Sequence, residues 1–358
     1  MTAKTFYAAA HVVADPAADN GEGKPAVVDW DATMRFRHHL WSLGLGIADA
    51  MDTAQRGMGL DWSATQELIR RSGAEAKSVN GLLACGAGTD HLAPGAHSLD
   101  DIERAYREQL EVVQNAGAKV ILMASRAMAA SASGPADYAR IYGTLLTDVD
   151  QPVILHWLGD MFDPALAGYW AGSSGSAGVP TSAQDLDRAA EAVLEIIHQN
   201  AAKVDGIKVS LLDADREIAL RAKLPEGVRL YTGDDFNYPS LIESGSHALL
   251  GIFDAIAVPA AAAWQALDAG DTAKFREILD PTVPLARHIF ATPTYHYKTG
   301  IVFLAWLNGH QDEFRMVGGQ EHSRSLDHLI ELHRLAAECG VLADPELAAA
   351  RLAKLVAP

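Results

Sequence analysis

Along the chain, short runs of consecutive apolar residues alternate with longer stretches whose apolar positions recur at helical spacing. Apolar runs without polar alternation are what strands buried on both faces require, as in a parallel sheet. The candidate strands are 26–30, 46–51, 81–85, 119–124, 152–157, 205–209, 229–232 and 248–253. Amphipathic helices are predicted between them over 63–78, 99–116, 135–146, 185–202 and 213–223, with Ser98, Asp137 and Asp213 as N-cap residues. Strands each followed by a helix, repeated about eight times, predict an α/β fold of the (β/α)8 TIM-barrel type. A doubly wound sheet would show fewer strands and a glycine-rich first turn, and no G-x-G-x-x-G follows the first strand. The barrel is expected over residues 1–267. Residues 268–358 read as helices at 271–279, 283–291, 300–307, 325–339 and 345–356, expected to pack on the barrel or on a neighbouring subunit.

Composition narrows the class of partner. With 358 residues and 49% hydrophobic content the chain can bury a large core, and its formal charge of -17 disfavours nucleic acid and anionic membranes. The longest apolar region, 248–267, contains Asp254 and Pro259 and does not read as a membrane span. The apolar run 6–14 is interrupted by His11 and preceded only by Lys4, a poor secretory leader. Cys85 and Cys339 lack the spacing of a zinc or redox pair, so a reducing cytoplasm is expected. "AGSSGSAGVPTSAQ", residues 171–184, reads as a flexible loop or lid after the fifth strand.

In a barrel the active face is built from the carboxyl ends of the strands. Those ends carry Asp49, Asp52, Thr53 and Gln55, then Ser125 and Arg126, His156 and Asp160, Lys208 and Ser210, Thr232 to Asp235, and Asp254. Lys208 and His156 fall on adjacent strands at equivalent depth. A lysine shielded from water can lose its proton near neutral pH and attack a carbonyl to give an imine, and a histidine beside it can carry protons. The blander alternative is a snorkelling or ion-paired Lys208 with a core histidine. A metal set of His156, Asp160, Asp234, Asp235 and His247 is a second alternative. The histidines at 296, 310, 322, 328 and 333 show no i, i+4 ligand pair, and "YHYKTG", 295–300, reads as an interface turn.

These residues also carry a resemblance. "VDGIKVSLLD" followed by "VRLYTGDDFNYPSLIESGSHALLGIFDAIAVP" resembles the dihydrodipicolinate synthase and N-acetylneuraminate lyase superfamily, as do "GLLACGAGT", "AGAKVILM" and "QPVILHW" for its third, fourth and fifth strands. "MDTAQRGMGLDW" and "KTGIVFLAWLNGHQDEF" are similar to a branch described as a domain of unknown function. The resemblance implies a barrel, often tetrameric, with Lys208 as the Schiff-base residue. The loop "DTAQRG", 52–57, departs from the family's carboxylate-binding loop and keeps only Thr53. His156 stands where the family has tyrosine, and Met161 where the synthases have arginine. These changes point away from pyruvate and aspartate semialdehyde. Asp52 would repel a carboxylate but accept hydrogen bonds from sugar hydroxyls, and Arg126 could supply an anion clamp.

The expected protein is a cytoplasmic, homo-oligomeric (dimer or tetramer) lyase or aldolase of carbohydrate breakdown. Lys208 would form an imine with a keto acid or sugar-derived carbonyl and His156 would relay protons. Asp52, Thr53, Gln55, Arg126, Ser210, Gly233 and Asp234 would bind the substrate. No cofactor, metal, nucleic-acid or membrane partner is expected. The rival classes are a metal-dependent barrel isomerase or hydrolase and a barrel that binds a sugar acid without turnover.

Overall fold

Eight parallel strands follow one another around a closed barrel in chain order: β1 Phe6–Ala9, β2 Gly46–Asp49, β3 Leu83–Ala87, β4 Lys119–Leu122, β5 Val153–Leu158, β6 Val204–Ser210, β7 Arg229–Thr232 and β8 His247–Leu250. The computed structural model describes residues 4–172 and 180–357, so half of the low-complexity stretch after β5, 173–179, lies outside the described residues. Two compact units divide the chain. One comprises the residues up to Leu83, Asp235–Glu243 and those from Ala248 on; the other comprises Ala84–Asp234 and Ser244–His247.

In the first unit β1 pairs on both edges, Tyr7 standing opposite Gly46 of β2 and Leu249 of β8. A Cβ at Gly46 would lie 2.8 Å from the Tyr7 ring, so only glycine lets the two strands close there. The first strand is therefore Phe6–Ala9, not the expected 26–30. Residues 26–30 hold β-branched residues but form only a return: Ala14 and Val28 make an isolated antiparallel bridge, and Asp29 then caps the helix Trp30–Ser42 by accepting from the Ala32 N–H. The eighth strand also stops early, because Ile252–Ala255 turns helical and the Ile252 N–H donates to Asp235. Asp137 is not an N-cap either; Pro135 opens that helix and Asp137 sits in its first turn.

The helices Thr272–Leu279, Val283–Ile289, Tyr297–Leu307, Leu326–Glu338 and Pro345–Val356 belong to this unit. Every residue of Tyr297–Leu307 is buried, Lys298 and Thr299 in its first turn included, so the helix is enclosed on all sides rather than amphipathic. Leu326–Glu338, Pro345–Val356 and Ile252–Ala255 pack against it. No helix among the described residues is long and apolar enough to cross a membrane.

Two buried polar clusters hold elements together. At the end of β2 the fully buried Asp49 carboxylate takes Nε and Nη2 of Arg37 at 3.1 and 2.8 Å, the Ser72 hydroxyl at 2.5 Å and the Ala50 N–H at 2.8 Å. Arg37 Nη1 also donates to the carbonyls of His11 and Thr33. One charge pair thus ties the exit of β1, the end of β2 and two helices. In the second unit Glu217 accepts from Thr232 of β7 at 2.9 Å and from Ser246 at 2.8 Å. Burial pushes its carboxyl up to about 7, and the charge of Asp234 adds to the rise.

Arg37→Met leaves Asp49 buried without its cation and should lower the unfolding free energy by about 3–5 kcal/mol in urea titration, whereas a loss under about 1 kcal/mol would show the pair to be dispensable. For Glu217 the sign follows from its raised folded value. The folded chain holds the proton between 4.5 and about 7 while the unfolded chain releases it, so stability is fullest below 4.5 and falls as pH rises through about 7. That decline amounts to roughly 3 kcal/mol. Glu217→Gln should flatten it, with the melting temperature at pH 8 approaching that at pH 5 more closely than in the parent; an unchanged pH slope would assign the decline elsewhere.

Candidate active site

β5 and β6 run in parallel with His156 directly opposite Lys208 and Leu158 opposite Ser210. β6 in turn pairs with β7, Lys208 opposite Tyr231 and Val209 opposite Thr232. Because side chains alternate along a strand, Lys208 and Ser210 lie on one face of β6. Both reach over the turn that follows β7. There the Gly233 N–H donates to the Val209 carbonyl at 2.7 Å. A Cβ at Gly233 would stand 2.8 Å from Lys208 Cε and would collide with Ser210 Oγ. Glycine at this position is the condition for the lysine stem to lie where it does.

The surroundings are nearly dry. Lys208 is 7% exposed and His156 0%, and Ser210, Thr232 and Asp234 are buried beside them. The Asp234 N–H donates to Thr232 Oγ1 at 3.2 Å, which places its side chain at the same turn. Burial, and after it the charge of Lys208, holds the His156 imidazole well below its ordinary range, so the ring is neutral. Neither ring nitrogen of His156 has a hydrogen-bond partner among the described residues. A neutral imidazole carries one donor and one acceptor, and leaving both unmet in a buried place costs about 1–3 kcal/mol for each. Such a group next to a lysine is equipped to receive a ligand.

The other expected site residues lie as follows. Arg126 opens the helix Arg126–Ser131, is about half exposed and pairs through Nε with Asp163 at 2.6 Å. Asp52 and Thr53 sit on the short helix Asp52–Ala54 of the first unit. Thr53 shares a 2.9 Å hydrogen bond with the Tyr297 hydroxyl, and Gln55, in a left-handed conformation, donates to the carbonyls of Met58 and Val317. Gln55 therefore braces its own loop. Lys208, His156, Ser210, Gly233 and Asp234 are brought together; Arg126 holds a separate ion pair. Of the alternative metal set, Asp160 accepts from Thr181 and Asp235 from Ile252, and among the described residues no three His, Cys, Asp or Glu side chains are placed to hold a metal ion.

Sequence reasoning passed over two features. Tyr297, read as part of a turn, is a buried partner of Thr53 whose hydroxyl is held well above its ordinary range by burial first and by Asp52 next. Tyr106, Tyr142 and Tyr169 join hydroxyls in the second unit, with Tyr169 accepting from the Ser125 N–H at 3.1 Å. No local pattern announces either, since the partners come from separate elements.

No curated protein matches the chain in sequence. Solved structures match it in fold. YagE, a prophage protein belonging to the dihydrodipicolinic acid synthase family from E. coli K12 and solved in complex with pyruvate, is 13% identical with a TM-score of 0.71 over 95% of this chain and 100% of its own. The dihydrodipicolinate synthase of Thermotoga maritima is 14% identical with a TM-score of 0.69 over 96% and 100%. The 4-hydroxy-tetrahydrodipicolinate synthase of Methylacidiphilum fumariolicum SolV is 16% identical with a TM-score of 0.68 over 96% and 99%. At these identities the likeness is one of fold. A family model described as "Protein of unknown function (DUF993)" matches residues 1–357, and the chain belongs to that family.

Proposed function

We propose that the chain is an imine-forming lyase of the aldolase type that acts on a keto acid or a sugar-derived carbonyl compound, with Lys208 as nucleophile. The observation that carries this reading is the buried Lys208, seated against Gly233 and in register with a neutral His156 whose ring nitrogens lack partners. Desolvation favours the neutral amine over the ammonium, and the neutral amine is the form that attacks a carbonyl carbon. The nitrogen forms a bond to that carbon, the carbonyl oxygen gains protons and leaves as water, and the resulting iminium takes up the electrons of the adjacent carbon–carbon bond as it breaks, giving an enamine while the β-hydroxyl gives its proton to His156 and becomes the carbonyl of the released fragment. His156 can move the protons without becoming charged, accepting at one ring nitrogen while the other releases. Ser210 and Asp234 supply the polar surroundings of the nitrogen. The likeness to dihydrodipicolinate synthase folds, one of them solved with pyruvate, supports a keto acid or related carbonyl as the substrate class.

Borohydride reduction of the protein with pyruvate and a panel of keto acids and keto sugars should leave a mass adduct that maps to Lys208, and Lys208→Ala should leave none. Absence of any adduct across the panel, together with full turnover by Lys208→Ala on a substrate found by other means, would sink the imine mechanism. His156→Phe should keep the adduct and lose turnover by about 10²–10⁴-fold. Loss of the adduct itself would make His156 a binding residue instead.

Gly233→Ala should slow adduct formation at least about ten-fold, because the added methyl meets the lysine stem at 2.8 Å in a packed site. Trapping at the parent rate would remove Gly233 from the set that positions Lys208.

A further inference from the structure

A cavity of about 420 Å³ opens in the first unit, beside the start of the helix Ala257–Asp268 and the ends of Tyr297–Leu307 and Leu326–Glu338. Its walls are mostly hydrocarbon, from Ile256, Ile278 and Val341 among others, and its polar groups include Asp254, His39 and His310. Asp254 is 4% exposed. Its Oδ2 accepts from both the backbone N–H and Nδ1 of His11, each at 2.8 Å. Its Oδ1 is buried and has no hydrogen-bond partner among the described residues. A carboxylate oxygen in that condition calls for a donor.

The two imidazoles on the cavity wall do not supply a positive charge. The rings of His39 and His310 lie 4.8 Å apart at the cavity wall. Burial holds both below the ordinary imidazole range, His310 at about 4, so both are neutral at pH 7 although the charge of Asp254 pulls the other way. Cys339, also on the wall, has its thiol pushed up to about 11 by burial, which leaves little thiolate for covalent chemistry. A hydrocarbon-walled space with one under-used carboxylate and neutral imidazoles is complementary to a cation that carries an apolar body.

We propose that this cavity binds a small organic ammonium ion, its hydrocarbon part against Ile256, Ile278 and Val341 and its N–H groups directed to Asp254 Oδ1. An ammonium meets both needs at once: it satisfies the unmet oxygen and leaves neither charge buried alone. Neutral His39 and His310 can accept its remaining N–H groups. The site is independent of Lys208 and of any imine chemistry.

Calorimetric titration of the full chain with benzylammonium, benzyl alcohol and benzoate tests it. Benzylammonium should bind at least ten-fold more tightly than benzyl alcohol, and benzoate more weakly than either. Asp254→Asn should abolish the preference for the ammonium. Because that substitution also alters the carboxylate that holds His11, Ala262→Trp serves as a second test: residue 262 is exposed on the lip of the cavity, and the indole should weaken benzylammonium and benzyl alcohol together without loss of folding. Equal affinities for the ammonium and the alcohol, a preference that survives Asp254→Asn, unchanged affinity for both probes in Ala262→Trp, or no binding of any probe at millimolar concentration would each overturn the proposal. So would an oligomer that Ala262→Trp dissociates while no probe binds, since the cavity would then be an interface between copies.

Discussion

The Lys208 side chain can lie where it does because the backbone at Gly233 carries no Cβ. Much follows from that one absence. With the stem seated against the turn after β7, the nitrogen is held at the end of β6, opposite His156 of β5 and screened from water. Burial keeps His156 neutral, and a neutral ring is the one that can both give and take a proton. Parallel register does the rest: a slip of one residue between β5 and β6 would turn one of the two side chains to the other face.

The buried polar groups of this protein fall into two kinds. Asp49 and Arg37 meet nearly every donor and acceptor they own, and their role is to join strands to helices. His156 and Asp254 are as deeply buried, yet each keeps polar atoms without a partner among the described residues. The first kind stabilises the fold; the second is a standing cost that a bound molecule can relieve. His156 stands beside a lysine and Asp254 beside hydrocarbon walls, surroundings in which a ligand can meet the unpaired atoms.

Periodicity carried the fold a long way. The helices Leu99–Ala116 and Pro345–Val356 and the strand Arg229–Thr232 coincide with their expected bounds, because each is a single unbroken pattern with a clear cap or turn at its ends. The first strand was misplaced since valines in a return segment look like a strand, whereas Phe6–Ala9 sits in a run that His11 interrupts. Lys208 and His156 were readable as neighbours because adjacent parallel strands fix depth. His11 with Asp254, or Thr53 with Tyr297, could not be read that way: the members of each pair lie more than two hundred residues apart and meet only through packing.

The pairing of β1 with β8 sets the order in which the molecule can be finished. During synthesis Phe6–Ala9 emerges before the other strands and can join β2 early, but its other edge waits for Ala248. The buried helix Tyr297–Leu307 arrives later still. Until both have emerged the nascent chain therefore carries an open strand edge and an unfilled apolar seat, the surfaces that chaperones recognise and that aggregation exploits.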